Sequence, residues 1–525
     1  MRKMRIVTVL LLVAALLAGC AMPMMEEFTR YEDMVYTRPD MEELDKVLQK
    51  AIDASRGDDL EAIVACIYEF NDFYDAFYTN YSLADIRYSG NLKDLYWSEE
   101  CDYCVSCSAT VDAALEELYY ALAKSPCREE LESDAYFGAD FFDSYDGENN
   151  YDAEFVALME REAELTNRYY ELSMEGLEYE SASGEYYDAC GEEMVELLVE
   201  LIGLRQEMAG YWGYEDYVSF ANDFYYYRDY TAEDAKAYLA DIRTELVGLY
   251  REVCDSGQWS MGYAYCSEKE TYEYVGEMAG AMGGNIKKAF DLMSRAGLYD
   301  IAYGEDKYAS SFEVYLTSYW EPFIFMNPGM TVYDQLTFAH EFGHFCNDYV
   351  SYGSYAGTDV AEVFSQAMEY LSLCYVEDTE DLTWLKLADC LCLMVEQSAF
   401  ADFEYRMYDL EGEELTAENL RQLYDQVALE YGFDSVGYTD WEFVTINHYY
   451  TNPMYIISYV VSNDAALQLY QMELAEKGAG LACMEENLDT EAQYFLEFLA
   501  EAGLESPFLP GRIQQVRRTL EEELF

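Results

Sequence analysis

The chain has 525 residues, of which 51% are hydrophobic, with only 8 prolines and 31 glycines. This length and composition exclude a single small domain, a disordered chain and a fibrous protein. The formal net charge is −73, because 104 aspartates and glutamates stand against 31 lysines and arginines. That charge argues against a nucleic-acid partner, since phosphates are bound by a basic face. The acidic residues either keep the surface of an exported protein well solvated or create a field that attracts cationic substrates.

The first twenty residues have the pattern of an export signal. A basic start precedes an apolar run at residues 6–17, which is shorter than a membrane-spanning helix, and Leu-Ala-Gly leads into Cys20. This segment resembles a bacterial lipobox, which implies removal of residues 1–19 and lipidation of Cys20. We therefore expect an exported bacterial lipoprotein, anchored to the outer face of the cytoplasmic membrane or secreted. The alternative is an ordinary signal peptide that ends near Ala21.

Most of the chain after the signal has the periodicity of amphipathic helices, with apolar residues at three-to-four spacing. In the N-terminal part we predict helices at residues 41–54, 110–124, 152–174 and 192–208, with loops at residues 145–150 and 181–184. A strand-like interval follows at residues 311–326, interrupted by Pro322. Helix then resumes with Asp334 as its N-cap. We predict a helical N-terminal lobe at residues 20–200 and a second lobe at residues 201–525.

Cysteines after the signal cannot all pair within the chain, because thirteen of the fourteen follow Cys20. Cys101, Cys104 and Cys107 form a CxxCxxC run. The run could hold a metal ion, form a disulfide with Cys127 or stay reduced, and no fourth ligand stands at zinc-finger spacing. The others are interpreted as small core residues, among them Cys346, Cys374, Cys390 and Cys392.

The three histidines of the chain are His340, His344 and His448. The first two belong to the sequence HEFGH, an HExxH pattern that continues an apolar helix. One helical turn separates their imidazoles, so both can bind one zinc ion, and Glu341 can act as general base on a water at the metal. Because glycine destabilises a helix interior, Gly343 indicates a close approach of other backbone or of substrate. The alternative is a histidine pair on a surface helix.

A hydrolytic zinc site needs a third protein ligand and one open coordination position. No other histidine lies nearby, so we expect Glu362, eighteen residues after His344, to be that ligand. Two further residues are expected to support the ligands from behind. Asp359 would cap the helix that carries Glu362. Glu369, two turns later on the same face, either orients a ligand imidazole or is an ordinary exposed glutamate.

HEFGH, followed by Glu362 in a Glu-x-x-Ser-Gln sequence, resembles the oligoendopeptidase F and thimet oligopeptidase family of zinc metallopeptidases, which are gluzincins. Two more segments are similar to that family: HYYTNPMYIISY, which begins at His448, and RQEMAGYWGYEDY at residues 205–217. The resemblance covers about residues 200–470 by motif. It implies a mainly α, two-lobed helical metallopeptidase with a deep central channel and a small β-sheet near the zinc helix.

The resemblance also implies an activity, namely zinc-dependent endopeptidase hydrolysis of short oligopeptides with one zinc ion per chain. It further implies that His448, with Tyr455 or Tyr459, binds the oxyanion of the tetrahedral intermediate. Donors aimed at such a charge can contribute about 3–4 kcal/mol each. Core packing is the alternative role for these tyrosines. Asn347 departs from the family pattern, because many members have a further histidine at this position.

Two other functions remain open from the sequence. A dipeptidyl carboxypeptidase of the same superfamily would need a cationic pocket for the free carboxylate of its substrate. A tethered peptide-binding lipoprotein would need no catalysis, and the intact ligands and base count against it. The expected partners are oligopeptide substrates and, through the lipid anchor, a membrane surface, with no nucleic acid and a monomeric chain.

Overall fold

The computed structural model describes residues 28–133, 135–147, 152–176, 190–353, 356–438, 442–490 and 492–525. These residues form a mainly helical protein with one small sheet, as the sequence predicts. The export signal with Cys20 and the loop predicted at residues 181–184 lie outside the described residues. Within the described ranges, no helix is long and apolar enough to cross a bilayer.

The first helices of the chain include three that start at an aspartate cap. These first helices are α1 (Met41–Ser55), α2 (Leu60–Gly90), α3 (Leu95–Leu122), the short α4 (Arg128–Leu131) and, further along, α5 (Ala153–Gly176). The side chains of Asp40, Asp59 and Asp94 accept backbone N–H groups in the first turns of α1, α2 and α3. These bonds satisfy donors that a helix start leaves free. Helices α1 to α3 pack on one another around a core that includes Phe70 and Leu118.

The CxxCxxC run lies inside α3, which begins at Leu95 rather than at the predicted residue 110. Spacing of three residues puts these side chains near one face of the helix, and Cys101 and Cys104 are buried there. All three residues, and Cys127, are free thiols. Burial raises the pKa of Cys104 to about 11. The run therefore contributes side chains to a packed helix face.

Further helices precede and follow the sheet in the sequence. In order they are α6 (Glu192–Tyr211), α7 (Tyr217–Phe224), α8 (Ala232–Glu245), α9 (Val247–Asp255), α10 (Glu268–Met282), α11 (Gly284–Ala296), α12 (Tyr333–Ser351), α13 (Thr358–Tyr375), α14 (Glu380–Tyr408), α15 (Ala417–Glu430), α16 (His448–Thr451), α17 (Ile456–Ala475), α18 (Ala479–Asn487), α19 (Phe495–Ala502) and α20 (Arg512–Leu524).

The predicted strand-like interval forms two strands and the turn between them. The sheet consists of β1 (Tyr299–Asp300), β2 (Ser311–Leu316) and β3 (Glu321–Met326) in the order β1-β3-β2. Strand β3 pairs antiparallel with β2 and parallel with β1. Pro322 is opposite Tyr315 of β2, at a point where β1 does not reach, because β1 pairs only with Ile324 and Phe325. Proline is tolerated at such an edge since it has no N–H to donate.

The chain divides into two units, each built from separate stretches of sequence. The first comprises the described parts of Met1–Glu160, Gly283–Gly329 and Phe345–Tyr355, and the second those of Arg161–Met282, Met330–His344 and Ala356–Phe525. In the second unit, α13 packs most extensively against α17, and α17 also packs against α14. All candidate metal and catalytic residues belong to this second unit. The predicted lobe boundary at residue 200 stays a prediction.

Candidate metal centre

Helix α12 presents the two histidines of HEFGH on one face. The ring centroids of His340 and His344 lie 5.1 Å apart. Asp334 is the second residue of this helix, so the prediction that it is the N-cap is wrong. Its carboxylate accepts the N–H of Thr331 in the preceding turn. One turn of helix is therefore sufficient to bring both imidazoles to the same place, as the spacing predicts.

Glu362 of α13 completes a set of three possible metal ligands. Its Oε2 lies 3.5 Å from Nε2 of His340 and 3.8 Å from Nε2 of His344. Ligand atoms bound about 2 Å from a tetrahedral ion lie about 3.3 Å from one another, so these donors fit one ion. Among the described residues, this is the one group of three or more His, Cys, Asp or Glu side chains close enough to hold a metal.

Gly343 explains why α13 comes so close to α12. A Cβ at this position would lie 2.6 Å from the carbonyl oxygen of Phe364 and 2.6 Å from Cα of Ser365. Both atoms belong to the backbone of α13, so any side chain at residue 343 would push the two helices apart. The predicted close approach is thus confirmed, and the approaching group is backbone that carries Glu362.

Hydrogen bonds fix both oxygens of the buried Glu362 carboxylate. Ser365 donates to Oε2 at 3.0 Å, and the hydroxyl of Tyr455 donates to Oε1 at 2.6 Å. Gln366, the next residue of the Glu-x-x-Ser-Gln sequence, donates to the carbonyl oxygen of Tyr459 at 3.2 Å. The Ser-Gln pair therefore orients the third ligand and joins α13 to α17.

Glu369 is buried and lies behind His340. Its Oε1 is 2.9 Å from Nδ1 of His340, which leaves Nε2 turned toward Glu362. Burial lowers the pKa of His340, but the hydrogen bond to Glu369 and the carboxylate of Glu362 outweigh it and raise the pKa to about 9. Burial dominates at His344 and lowers its pKa to about 4. A metal ion on Nε2 of His340 would displace the proton there.

Lys386 of α14 is a site residue that the sequence did not reveal. Its side chain is fully buried, and its Nζ lies 2.7 Å from Oε2 of Glu369. Burial raises the pKa of Glu369, but Lys386 and His340 outweigh it and hold the pKa below its usual value. The signal available was a lysine within the apolar run WLKLADCLCL. Its partner could not be inferred, because Glu369 belongs to another helix.

The prediction that Asp359 caps its helix is wrong. Asp359 is the second residue of α13, and Gly357 stands at the N-cap position. The Asp359 carboxylate instead accepts hydrogen bonds from Tyr230 at 2.8 Å, from Arg228 and from Ser458 of α17. A buried guanidinium is a stronger partner than the backbone N–H groups of a helix start. Asp359 therefore ties the start of α13 to α17.

His448, Tyr455 and Tyr459 form an aromatic group beside Glu362. Nε2 of His448 lies 3.3 Å from the hydroxyl of Tyr459, and the ring centroids of Tyr455 and Tyr459 are 5.2 Å apart. Burial lowers the pKa of His448 to about 4 and raises the pKa of both tyrosines above their usual value. At neutral pH this histidine is uncharged and both phenols keep their protons.

The two tyrosines differ in what they contact. Tyr455 already donates to Glu362, whereas Tyr459 pairs with His448. The carboxylates of Glu362 and Glu341 both contribute to the raised pKa of Tyr459, after its burial. Glu341 is itself buried on α12. The arrangement therefore brings a carboxylate, a neutral imidazole and a protonated phenol together at one set of metal ligands.

Comparisons with known proteins agree with this fold. Residues 31–151 match the sequence profile described as "Peptidase M3 N-terminal domain". Across 94% of the chain, the fold matches Pz peptidase A with an inhibitor (TM-score 0.81, 20% identity, 99% of that chain) and a protein assigned as an oligoendopeptidase F from Bacillus anthracis str. Ames (TM-score 0.79, 21% identity, 98% of that chain).

A more distant structure is oligoendopeptidase-F from Enterococcus faecium, with a TM-score of 0.60 and 15% identity over 92% of this chain and 96% of that one. The search of curated proteins gave no match. The likeness therefore lies in the N-terminal profile and in a fold shared over nearly the whole chain.

Proposed function

We propose that the chain is a member of the peptidase M3 family and a zinc-dependent endopeptidase that hydrolyses short oligopeptides. The profile match at residues 31–151 supports the family assignment. The observation that carries the proposal is the set of three donors from His340, His344 and Glu362, which lie within 4.8 Å of one another. Two imidazoles and one carboxylate are one of the ligand sets of catalytic zinc sites, which keep the fourth position open. Glu341 follows the first ligand directly, as a general base in HExxH does.

Zinc held by these residues would polarise the peptide carbonyl and make water a stronger nucleophile near neutral pH. The chain supplies the proton transfers: Glu341 takes the proton of the attacking water and gives it to the leaving amine. His448 and Tyr459 donate hydrogen bonds to the oxygen that becomes negative. Their shifted pKa values support this role, because a neutral imidazole and a protonated phenol are both donors at pH 7.

The test combines metal analysis with cleavage of a quenched-fluorescence peptide. We expect about one zinc per chain, loss of cleavage with a chelator and recovery on adding zinc. Glu341→Gln should keep the metal but lower kcat by about 10²–10⁴-fold, since the general base is lost. The exposed Glu380→Gln is the control and should cleave like the wild type. Cleavage by Glu341→Gln at the wild-type rate would rule out this base.

An endopeptidase and a dipeptidyl carboxypeptidase differ in their need for a cation that binds the substrate carboxylate. The buried Arg205 and Arg228 of this unit are both engaged, Arg205 by Glu162 and Arg228 by Asp359. This observation supports the endopeptidase. Peptides amidated at the C-terminus should therefore be cleaved about as fast as free acids. Cleavage restricted to free acids would favour the carboxypeptidase.

We also propose that the protein is exported as a monomer and tethered by lipid on Cys20. The supporting pattern is the basic start, apolar run and Leu-Ala-Gly-Cys sequence of residues 1–20. Cys20→Ser should move the protein from the detergent-rich to the aqueous phase on Triton X-114 partition, with unchanged specific activity. Unchanged partition would contradict the lipid anchor. Sedimentation of the detergent-solubilised protein tests the monomer.

A further inference from the structure

The segment that carries His448 and Tyr455 contains a backbone conformation that its own sequence does not favour. Between α16 and α17, Met454 has φ of +68°. This left-handed region is unfavourable for residues with a Cβ. Such strain persists only where surrounding groups hold it, and it concentrates at functional sites. The contacts that hold this segment are therefore informative.

Arg205 of α6 holds the first half of the segment. Its Nη1 donates to the carbonyl oxygen of Tyr449 and its Nη2 to that of Tyr450, each at 2.6 Å. Its Nε pairs with Glu162 at 2.6 Å, and the side chain is 1% exposed. The carbonyls at the end of a helix have no partners within the helix. A planar guanidinium meets two of them at once, which a lysine cannot do.

Glu404 of α14 holds the second half. The carboxylate, 1% exposed, accepts the N–H of Met454 at 2.7 Å. On the other side of the same peptide bond, the hydroxyl of Tyr226 donates to the carbonyl oxygen of Pro453 at 2.7 Å. Both polar groups of this peptide bond therefore have a buried partner, and its orientation is set.

These contacts lie on the segment between the two proposed oxyanion donors, His448 and Tyr459. His448 precedes the two carbonyls that Arg205 binds, and Tyr455 follows the N–H that Glu404 binds. We propose that Arg205 and Glu404 are positioning residues that aim the His448–Tyr459 pair at the metal centre. The proposal rests on the proposed function and gives a role to the RQEMAGYWGYEDY sequence, whose first residue is Arg205.

The test compares two variants of one residue. Glu404→Gln keeps an oxygen that can accept the Met454 N–H, whereas Glu404→Met removes it at similar size. We expect Glu404→Gln to keep most of the wild-type kcat. Glu404→Met should lower kcat by about 10²-fold, the effect of a small misplacement of catalytic groups, with KM and zinc content little changed. Affinity for a phosphinic peptide that mimics the tetrahedral intermediate should fall in parallel with kcat.

Two further variants separate an effect on the position of the catalytic groups from an effect on folding. Glu380→Met, an exposed glutamate of the same helix, should behave like the wild type. If Glu404→Met does not fold, Arg205→Lys takes its place, because it keeps the charge and loses one of the two carbonyl bonds. A wild-type kcat in the folded variant, or equal loss of affinity for substrate and phosphinic peptide, would overturn the proposal.

Amide hydrogen exchange tests this inference separately from the proposed function. If the wild type cleaves no peptide, the proposed function fails, but amide exchange can still be compared. Amides of residues 452–459 should exchange faster in Glu404→Met than in Glu404→Gln, while those of α1 stay unchanged. Equal exchange in the two variants would show that Glu404 does not hold the segment.

Discussion

His340 is fixed at both of its ring nitrogens. Nδ1 contacts Glu369, and Nε2 faces Glu362. Glu369 is in turn held by Lys386, so two buried side chains in series support one proposed zinc ligand. An outer partner of this kind orients the ring and increases its basicity. His340 therefore supplies the donor atom, whereas Glu369 and Lys386 set how strongly that atom can bind a metal ion.

Glu369→Gln should weaken zinc binding about 10–100-fold, because the orienting residue loses its charge. Competition with a chromophoric chelator measures the affinity directly, without reliance on activity. The exposed Glu380→Gln should bind zinc like the wild type. Equal affinity of the two variants would show that Glu369 does not support the metal site.

The helix pair α12 and α13 shows what local sequence can specify. The distance from His340 to His344 is one turn of a single helix, so it could be predicted from spacing alone. Glu362 could be proposed because its Glu-x-x-Ser-Gln context is also local. Lys386 and Arg228 could not, since the carboxylate that each contacts at the site, Glu369 or Asp359, lies on a different segment and charged residues are mostly exposed. The capping role of Asp359 failed for the same reason.

The close contact between α12 and α13 can be tested with Gly343→Ala. The added Cβ would meet the backbone of α13 at 2.6 Å, and backbone cannot move aside as a side chain does. Overpacking of this kind costs about 1–3 kcal/mol. Urea unfolding should show that loss, and zinc affinity should fall because Glu362 is displaced.

Gly203→Ala in α6 is the matched control. A Cβ there meets nothing within 4 Å, so alanine should be neutral or stabilise the helix by up to about 1 kcal/mol. Similar unfolding midpoints for the two alanine variants would contradict the close approach of α12 and α13.

At the scale of the whole molecule, the excess of acidic groups extends into buried positions. Burial raises the pKa of Glu116 to about 8 and that of Glu321 to about 7. In the unfolded chain a glutamate titrates near 4.3. Between these values the folded state binds more protons than the unfolded state, so stability falls as pH rises. The contribution of protonated Glu116 to the free energy of unfolding is complete below about pH 4 and is lost as the pH rises through about 8.

Glu116→Gln should therefore flatten part of the pH dependence of stability. Between pH 5 and pH 8.5 the wild type should lose more unfolding free energy than the variant, because glutamine does not titrate. Urea midpoints at the two pH values give the comparison. Glu117→Gln, an exposed neighbour on α3, should keep the wild-type slope. Parallel curves for wild type and Glu116→Gln would contradict a buried, proton-binding Glu116.

The free thiols among the described residues differ in how readily an oxidant can attack them. Only the thiolate form attacks disulfides and peroxides, and burial keeps Cys104 and Cys390 protonated by raising their pKa. At Cys254, in contrast, a hydrogen bond from Cys392 lowers the pKa. We therefore expect oxidation to begin at the partly exposed Cys254 of α9 rather than at the buried Cys104 and Cys390.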